Sequence, residues 1–376
     1  MITSSLIYIY SLAFLAAFFN ILEKKTSLKI FKYIPVVVFI YAFSMLGASM
    51  GMFEKNEQID GIYKLAKMNL LPAMLFLMLL QVDFTHFFKL GKSLLISYVL
   101  AVLSIAFGFI FVAFVFNFES ESAAAFGALA GSWMGGTANM IAIGSALGVG
   151  EEAFGYALVV DSVNYTFWVM LLLFLVPFAS YFNKFTGSDE RIAEFGEIGC
   201  ACNMGAKKYW LLILLALGAS ALSQVFAQNI QLLNKTTTIV LTASALGILG
   251  SFTKLKNVNG SSEIANSMLY LLIALIGSKA VFDSFSDVSF YVLAGFSILV
   301  IHATIMVVGA KIFKLDLFSI AVASLANIGG VASAPILAAA YNKSLVSVGV
   351  LMAIMGYLIG TFGGLAVGNI LLYMAG

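Results

Sequence analysis

Two segments, far apart in the chain, set paired glycines and uncharged hydrogen-bonding side chains inside apolar sequence. They are Gly131-Ser132-Trp133-Met134-Gly135-Gly136-Thr137-Ala138-Asn139 and Ser324-Leu325-Ala326-Asn327-Ile328-Gly329-Gly330-Val331-Ala332-Ser333. The chemistry open to such residues is binding. Gly135 and Gly136 let the backbone turn and approach a ligand closely. The N–H groups of Gly136, Thr137, Ala138 and Asn139 would open the next helix unpaired, and a helix N-terminus carries roughly half a positive charge, suited to a carboxylate or another anion. Ser132, Thr137 and Asn139 add neutral donors and acceptors. The second segment offers Ser324, Asn327, Gly329, Gly330 and Ser333, with Pro335 expected in the first turn of the following half-helix. Small residues also mark close helix packing. For Gly131 alone packing is the preferred reading; for the two segments together, a binding site is.

Asp161 follows the first segment, in Ala157-Leu158-Val159-Val160-Asp161-Ser162-Val163-Asn164-Tyr165. An ionised side chain at bilayer depth costs on the order of 3 kcal/mol on insertion scales, so such residues usually face a cavity and act there. Asn164 and Tyr165 share its helix face. Asp161, with Asn164, is expected to ligate a coupling Na⁺ or exchange a coupling proton; the competing reading is a carboxylate held by hydrogen bonds. Lys279 is read as neutralising an anion, pairing with a carboxylate or reaching the interface. His302, alone among apolar residues, is read mainly as a packed, hydrogen-bonded histidine, and Asp83 and His86 as lying at a span end.

The elements that position these groups must be membrane helices. Of 376 residues 62% are hydrophobic and 10% charged, with a mean hydropathy of +1.03, whereas soluble domains are about a quarter charged. At about 20 apolar residues per span, hydrophobic segments fall near 4–22, 33–52, 68–85, 93–116, 123–148, 153–182, 209–228, 236–253, 267–282, 288–310, 316–341 and 344–374. The polar stretch 183–208 is read as a linker between a first membrane repeat, 1–182, and a second, 209–376. The glycine pairs are offset by 329 − 135 = 194, and Met74-Leu75-Phe76-Leu77 matches Met268-Leu269-Tyr270-Leu271 at the same offset, 268 − 74 = 194. At that offset Asp161 corresponds to Met355, so charge chemistry is asymmetric between the halves.

Basic residues mark cytoplasmic loops. Lys24, Lys25, Lys29 and Lys32 after the first segment, Lys89 and Lys92, Lys254 and Lys256, and Lys311 and Lys314 satisfy that rule together if segments five and eleven dip in and return. The expected fold is therefore all-α and polytopic: two inverted-topology repeats, about ten spans plus two Gly-Gly-broken, re-entrant or discontinuous segments. The N-terminus is expected outside, on a first span and not a cleaved signal, because no Lys or Arg precedes it. Cys200 and Cys202 lie in the polar linker with no nearby ligand set, so no metal site is expected from them.

A matched pair of interruptions in two halves points to the substrate site of a secondary transporter. With no His-Glu-x-x-His, Walker-type loop or nucleotide-binding domain, no cofactor beyond a bound Na⁺ is expected, and no nucleic-acid partner. The sequence is read as an ion-coupled (Na⁺ or H⁺) carrier of a small organic solute, anionic by the site's chemistry, and not as an enzyme. A sodium/proton antiporter without organic substrate is the alternative, and a channel or sensory membrane protein a more distant one.

The two glycine segments, with Gly356-Tyr357-Leu358-Ile359-Gly360-Thr361, resemble the YjcL-like family of bacterial membrane proteins, a domain of unknown function. The resemblance implies the cation:proton antiporter/anion transporter superfamily, with inverted repeats, a scaffold or dimerisation domain giving a homodimer, and a mobile core holding two broken helices in the inner membrane. It would place Gly135, Gly136, Asn139, Asn327, Gly329 and Gly330 at the site. The chain departs from the family pattern at Val331-Ala332-Ser333-Ala334-Pro335 and at Lys279.

Overall fold

An apolar chain in hydrocarbon must satisfy every backbone N–H and C=O internally, and helices do so within one segment. The computed structural model describes residues 2–26, 29–32, 35–188, 205–229, 234–258, 260–280, 286–342 and 345–376, and among these the only β pairing is an isolated bridge between Ile2 and Phe53. Cys200, Cys202 and Asp283, and most of the polar linker, lie outside the described residues.

The helices are α1 (Ser5–Lys25), α2 (Val36–Ser49), α3 (Glu57–Leu79), α4 (Phe84–Phe87), α5 (Lys92–Phe116), α6 (Ser120–Gly135), α7 (Thr137–Leu147) and α8 (Glu151–Leu175). They continue as α9 (Ala179–Thr186), α10 (Ala206–Asn229), α11 (Lys235–Ser251), α12 (Ser261–Gly277), α13 (Ser286–Phe313), α14 (Leu317–Ile328), α15 (Gly330–Tyr341) and α16 (Val346–Met374). Seven helical stretches among the described residues are long and apolar enough to cross a membrane: α1, α3, α5, α8 running on through α9, α10, α13 and α16. The protein is thus an α-helical polytopic membrane protein.

Helix starts follow local capping chemistry. Asn56 accepts from Ile59 N at 2.9 Å and starts α3, where Glu57 and Asp60 suit the positive helix end. The apolar window 68–85 therefore misses the first turns of the helix, since a hydropathy window stops at charges that an N-terminal turn tolerates, and it overruns the helix end at Leu79. Asp316 caps α14 through Ser319 N at 2.8 Å, and Asn234 caps α11 through Thr237 N at 2.8 Å. Pro335 falls inside α15, past the first turn where the sequence placed it. It removes one helical donor there, and its ring nitrogen lies against Gly349 of α16.

Two helix groups emerge. Helices α1–α3 pack chiefly with α10–α12, and α5–α8 with α13–α16. Each group draws on both halves of the chain, so residues 1–182 and 209–376 are interleaved, not side by side.

The second group contains two helical hairpins. α6 and α7 break at Gly136 and fold back, so that residues at similar distances from the break meet. A Cβ on Gly127 would lie 2.7 Å from Leu147 Cδ1, one on Gly131 2.8 Å from Ile143 Cγ1, and one on Gly144 3.4 Å from Ala128 Cβ. α14 and α15 do the same about Gly329–Gly330: the ring of Phe318, at the start of α14, stands edge-on 5.2 Å from Tyr341, at the end of α15. Three residues, Gly148–Gly150, link the open end of the first hairpin to the start of α8. The open end of the second lies at the far end of α8, where Leu317 N donates to Asn183 Oδ1 of α9 at 2.9 Å. With 25 residues, α8 is about 37 Å long. The hairpins approach from opposite ends of α8 and bring their broken tips towards its middle.

Candidate functional site

The first tip is held by α16. Gly127, Gly131 and Gly135 recur every fourth residue on α6, and Gly356, Gly360, Gly364 and Gly368 do so on α16. A Cβ on Gly127 would lie 2.8 Å from Gly368 Cα, one on Gly364 2.6 Å from Gly131 Cα, and one on Gly360 2.7 Å from Gly135 Cα. Two backbones touch along an antiparallel glycine seam, the arrangement small residues make possible in lipid. Gly135 belongs to that seam: its Cβ would strike Gly356 O at 2.0 Å.

Asn139 extends the same contact. Its Nδ2 donates to Gly135 O at 3.1 Å, Tyr357 O at 3.1 Å and, more weakly, Gly356 O at 3.4 Å, and its Oδ1 accepts from Thr361 Oγ1 at 2.7 Å. The side chain is buried and fully occupied within the protein, a brace between α7 and α16. Gly136 adopts φ +88°, where an L side chain would be strained. Gly136 and Thr137 at the tip are partly accessible. Asn139 N bonds back to Gly136 O at 2.9 Å, while Thr137 N and Ala138 N find no backbone acceptor. Two donors of the α7 N-terminus are therefore open beside Thr137.

Asp161 of α8 reaches this tip from the other side. Its Oδ1 accepts from Trp133 Nε1 at 2.9 Å and its Oδ2 from Ser132 Oγ at 3.1 Å. Asp161 as a residue is partly accessible. An acidic group and an N-terminal donor pair thus belong to the same hairpin tip, the first bonded to Ser132 and Trp133, an arrangement that can hold a cation and an anion near each other.

The second tip faces Tyr165, one turn along α8. A Cβ on Gly329 would lie 2.7 Å from the Tyr165 ring and 2.0 Å from Ser333 Oγ, and Gly330 adopts φ +60°. Ser333 Oγ faces the Tyr165 hydroxyl without a well-formed hydrogen bond. Asn327 Nδ2 donates to Ala323 O at 2.8 Å, but its buried Oδ1 has no partner. An unsatisfied acceptor in so buried a side chain is uncommon and is costly until something donates to it.

Two of the residues singled out in the sequence turn elsewhere. Asn164 packs towards α13, its Nδ2 donating to Val292 O at 3.4 Å beside Gly295, and its hydrogen bonds do not reach Asp161. Ser324 points away from its own tip, accepting from Trp168 Nε1 at 2.9 Å and meeting His302 Nε2 at 2.8 Å. His302 Nδ1 meets Ser104 Oγ at 2.7 Å, and Ser104 Oγ donates to Ala101 O at 2.9 Å. With that hydroxyl proton committed, Nδ1 must carry the hydrogen and Nε2 must accept from Ser324. The chain Trp168–Ser324–His302–Ser104 is satisfied by a neutral imidazole and ties α8, α14, α13 and α5 together. Lys279 forms an ion pair with Asp60 and lies over the Tyr63 ring at 5.7 Å, away from both tips.

Trp133, Tyr357 and Thr361 are the site residues that sequence reasoning gave no role. The glycine spacing of α16, read against that of α6, was the available signal for Tyr357 and Thr361. Nothing in the sequence marked Trp133 as the partner of Asp161.

A family model described as "Protein of unknown function (DUF819)" matches residues 11–374. A relative in Bacillus subtilis (strain 168), the "Uncharacterized membrane protein YjcL", is 24% identical over 327 residues, covering 79% of this chain and 81% of its own.

Proposed function

The chain belongs to the DUF819 family, and on that premise we propose that it is an ion-coupled secondary transporter of a small organic anion, working by alternating access in a bacterial inner membrane. One observation carries the reading: two hairpins entering from opposite ends of α8 place broken, Gly-Gly tips at Asp161 and Tyr165 near its middle. Half-helix N-termini directed at a mid-membrane site are the binding device of many carriers. The open N–H groups of Thr137 and Ala138 would take the solute carboxylate. Asp161 would take Na⁺ or a proton.

The repeat reading has support in helix bounds. Shifted by 194, the break at 136 becomes 330, where α15 starts. The start of α8 at 151 becomes 345, one residue before α16. Counting the hairpins as re-entrant and α2, α11 and α12 as short spans gives ten crossings. Lys24, Lys25, Lys92, Lys254, Lys311 and Lys314 then share one side, the cytoplasmic one by the positive-inside rule, with the N-terminus outside.

In this mechanism the hairpins and α16 move as a body against α1–α3 and α10–α12. Asp161 governs the first hairpin, since Ser132 and Trp133 on α6 both bond to it. A cation bound there in place of, or beside, those donors changes how α6 sits on α8, and this links ion occupancy to movement of the tip.

The test is thermal stability of purified protein against amino acids, dicarboxylates and keto acids, each with and without Na⁺, since a ligand of the native state raises its melting point. An organic anion whose shift requires Na⁺ and vanishes in Asp161→Asn is the expected result. Shifts from Na⁺ alone, or from pH alone, favour the second reading, a sodium/proton antiporter. That reading draws on Asp161 being the single acidic side chain bonded to either tip among the described residues.

A further inference from the structure

A cavity of about 490 Å³ lies between α8–α9, α13 and α14, outside the site just described. Its size falls within the range of about 300–1,000 Å³ usual for small-molecule sites. Its wall is built from apolar side chains, among them Leu172, Met306 and Ile320, and the Ser324 hydroxyl at its inner end is committed to Trp168 and His302. Water has little to bond to in such a space. An apolar chain fits it.

The mouth is different in character. Phe178, Tyr181 and Phe185 line it and are 46%, 74% and 52% exposed, an aromatic cluster of the kind that sits at the membrane–water interface. Lys311 Nζ donates to Phe185 O and lies 4.8 Å over the Phe185 ring. Lys184 precedes Phe185, and Lys314 follows the end of α13. The nearby carboxylate of Asp316 is engaged by Ser319 N and Oγ at 2.8 and 2.6 Å, capping α14. The opening therefore presents lysine charge at interface depth above an apolar interior.

We propose that this cavity is a binding site for an anionic membrane phospholipid, with one acyl chain inside and the headgroup phosphate at Lys311, Lys184 and Lys314. Apolar volume selects the chain, and the lysine cluster selects the negative headgroup. The chain end would rest against Ser324 of α14 and Trp168 of α8, so occupancy bears directly on how the second hairpin is seated.

The experiment uses the full chain, delipidated in a neutral detergent, with dioleoyl phosphatidylglycerol, dioleoyl phosphatidylcholine or sodium oleate as probe. Melting temperature and native mass spectrometry are the readouts. Phosphatidylglycerol should raise the melting point by several degrees and stay bound at one copy per chain, with at most a third of that shift from phosphatidylcholine. Lys311→Gln should bring the phosphatidylglycerol shift down to the phosphatidylcholine level. Ala303→Phe, which fills the cavity from α13, should abolish both; if that variant misfolds, Val307→Phe on the same wall serves. Equal shifts from both phospholipids in the parent protein, or a full shift retained in the filled variant, would overturn the proposal. So would binding of oleate with none of phosphatidylglycerol, which would make the ligand a free fatty acid.

Discussion

The indole nitrogen of Trp133 on α6 is bonded to a carboxylate oxygen of Asp161 on α8 at 2.9 Å. Two consecutive residues of one hairpin, Ser132 and Trp133, therefore hold the single acidic side chain bonded to either tip among the described residues. A hydrogen bond to a charged group contributes about 1.5–3 kcal/mol. Trp133→Phe keeps an aromatic ring but removes the donor and part of a fully buried side chain, so it should lower stability by at least that amount. In an Asp161→Asn background the cavity cost remains, and the same change should cost less by about 1 kcal/mol or more. A double-mutant cycle checks this; additive effects would show the pair to be uncoupled.

The glycine seam makes a sharper structural prediction. Gly364→Val would drive a branched side chain into the backbone of Gly131, so folded protein should be largely lost on size-exclusion chromatography. Gly364→Ala should cost about 1–3 kcal/mol, the usual penalty of overpacking. Gly218 of α10 has nothing within 4 Å of its Cβ position, and Gly218→Ala should be neutral or stabilising by about 0.5–1 kcal/mol. If Gly364→Ala melted with the parent protein, the seam would not be tight.

The two tip asparagines should behave differently although their sequence settings match. Asn139→Ala removes a fully bonded brace between α7 and α16, while Thr361 Oγ1 can still donate to Tyr357 O at 2.9 Å, so its main effect should be a lower melting point. Thr361→Val, which strips the donor from Asn139 Oδ1, should cost roughly 1–3 kcal/mol. Asn327 has an unpaired Oδ1. Asn327→Ala should barely alter stability yet weaken solute affinity several-fold. Ligand-dependent melting curves on both variants separate these outcomes, and equal stability losses would remove the distinction.

His302 is expected to act as a neutral brace. His302→Leu leaves the hydroxyls of Ser104 and Ser324 without the imidazole and should cost about 1–3 kcal/mol. The pH profile of transport should stay where it is in His302→Gln. A profile displaced in that variant would make the histidine a proton carrier instead.

Much of the site could be read from residue types. The breaks at Gly136 and Gly329–Gly330 were legible because paired glycines and polar groups contradict an apolar run, and Asp161 because an acid at depth contradicts it more strongly. Side-chain direction was not legible. Asn164 shares a helix face with Asp161 at three-residue spacing, yet it faces α13, because that face is wide enough to meet two neighbours. Ser324 sits in the polar cluster of its segment, yet it points at His302, since a helix of 12 residues presents all its sides and packing selects among them.

Composition, hydropathy and glycine placement by themselves determined a helical membrane protein with two broken segments, because an apolar solvent leaves the backbone few alternatives. Only the tertiary structure decided that the segments are hairpins approaching from opposite ends of α8, that Gly135 and Asn139 serve the seam with α16, and that Trp133 holds Asp161. Those facts depend on close approach between separate helices, across 28 residues of chain for Trp133 and Asp161 and 217 for Asn139 and Gly356, and no local pattern encodes that approach.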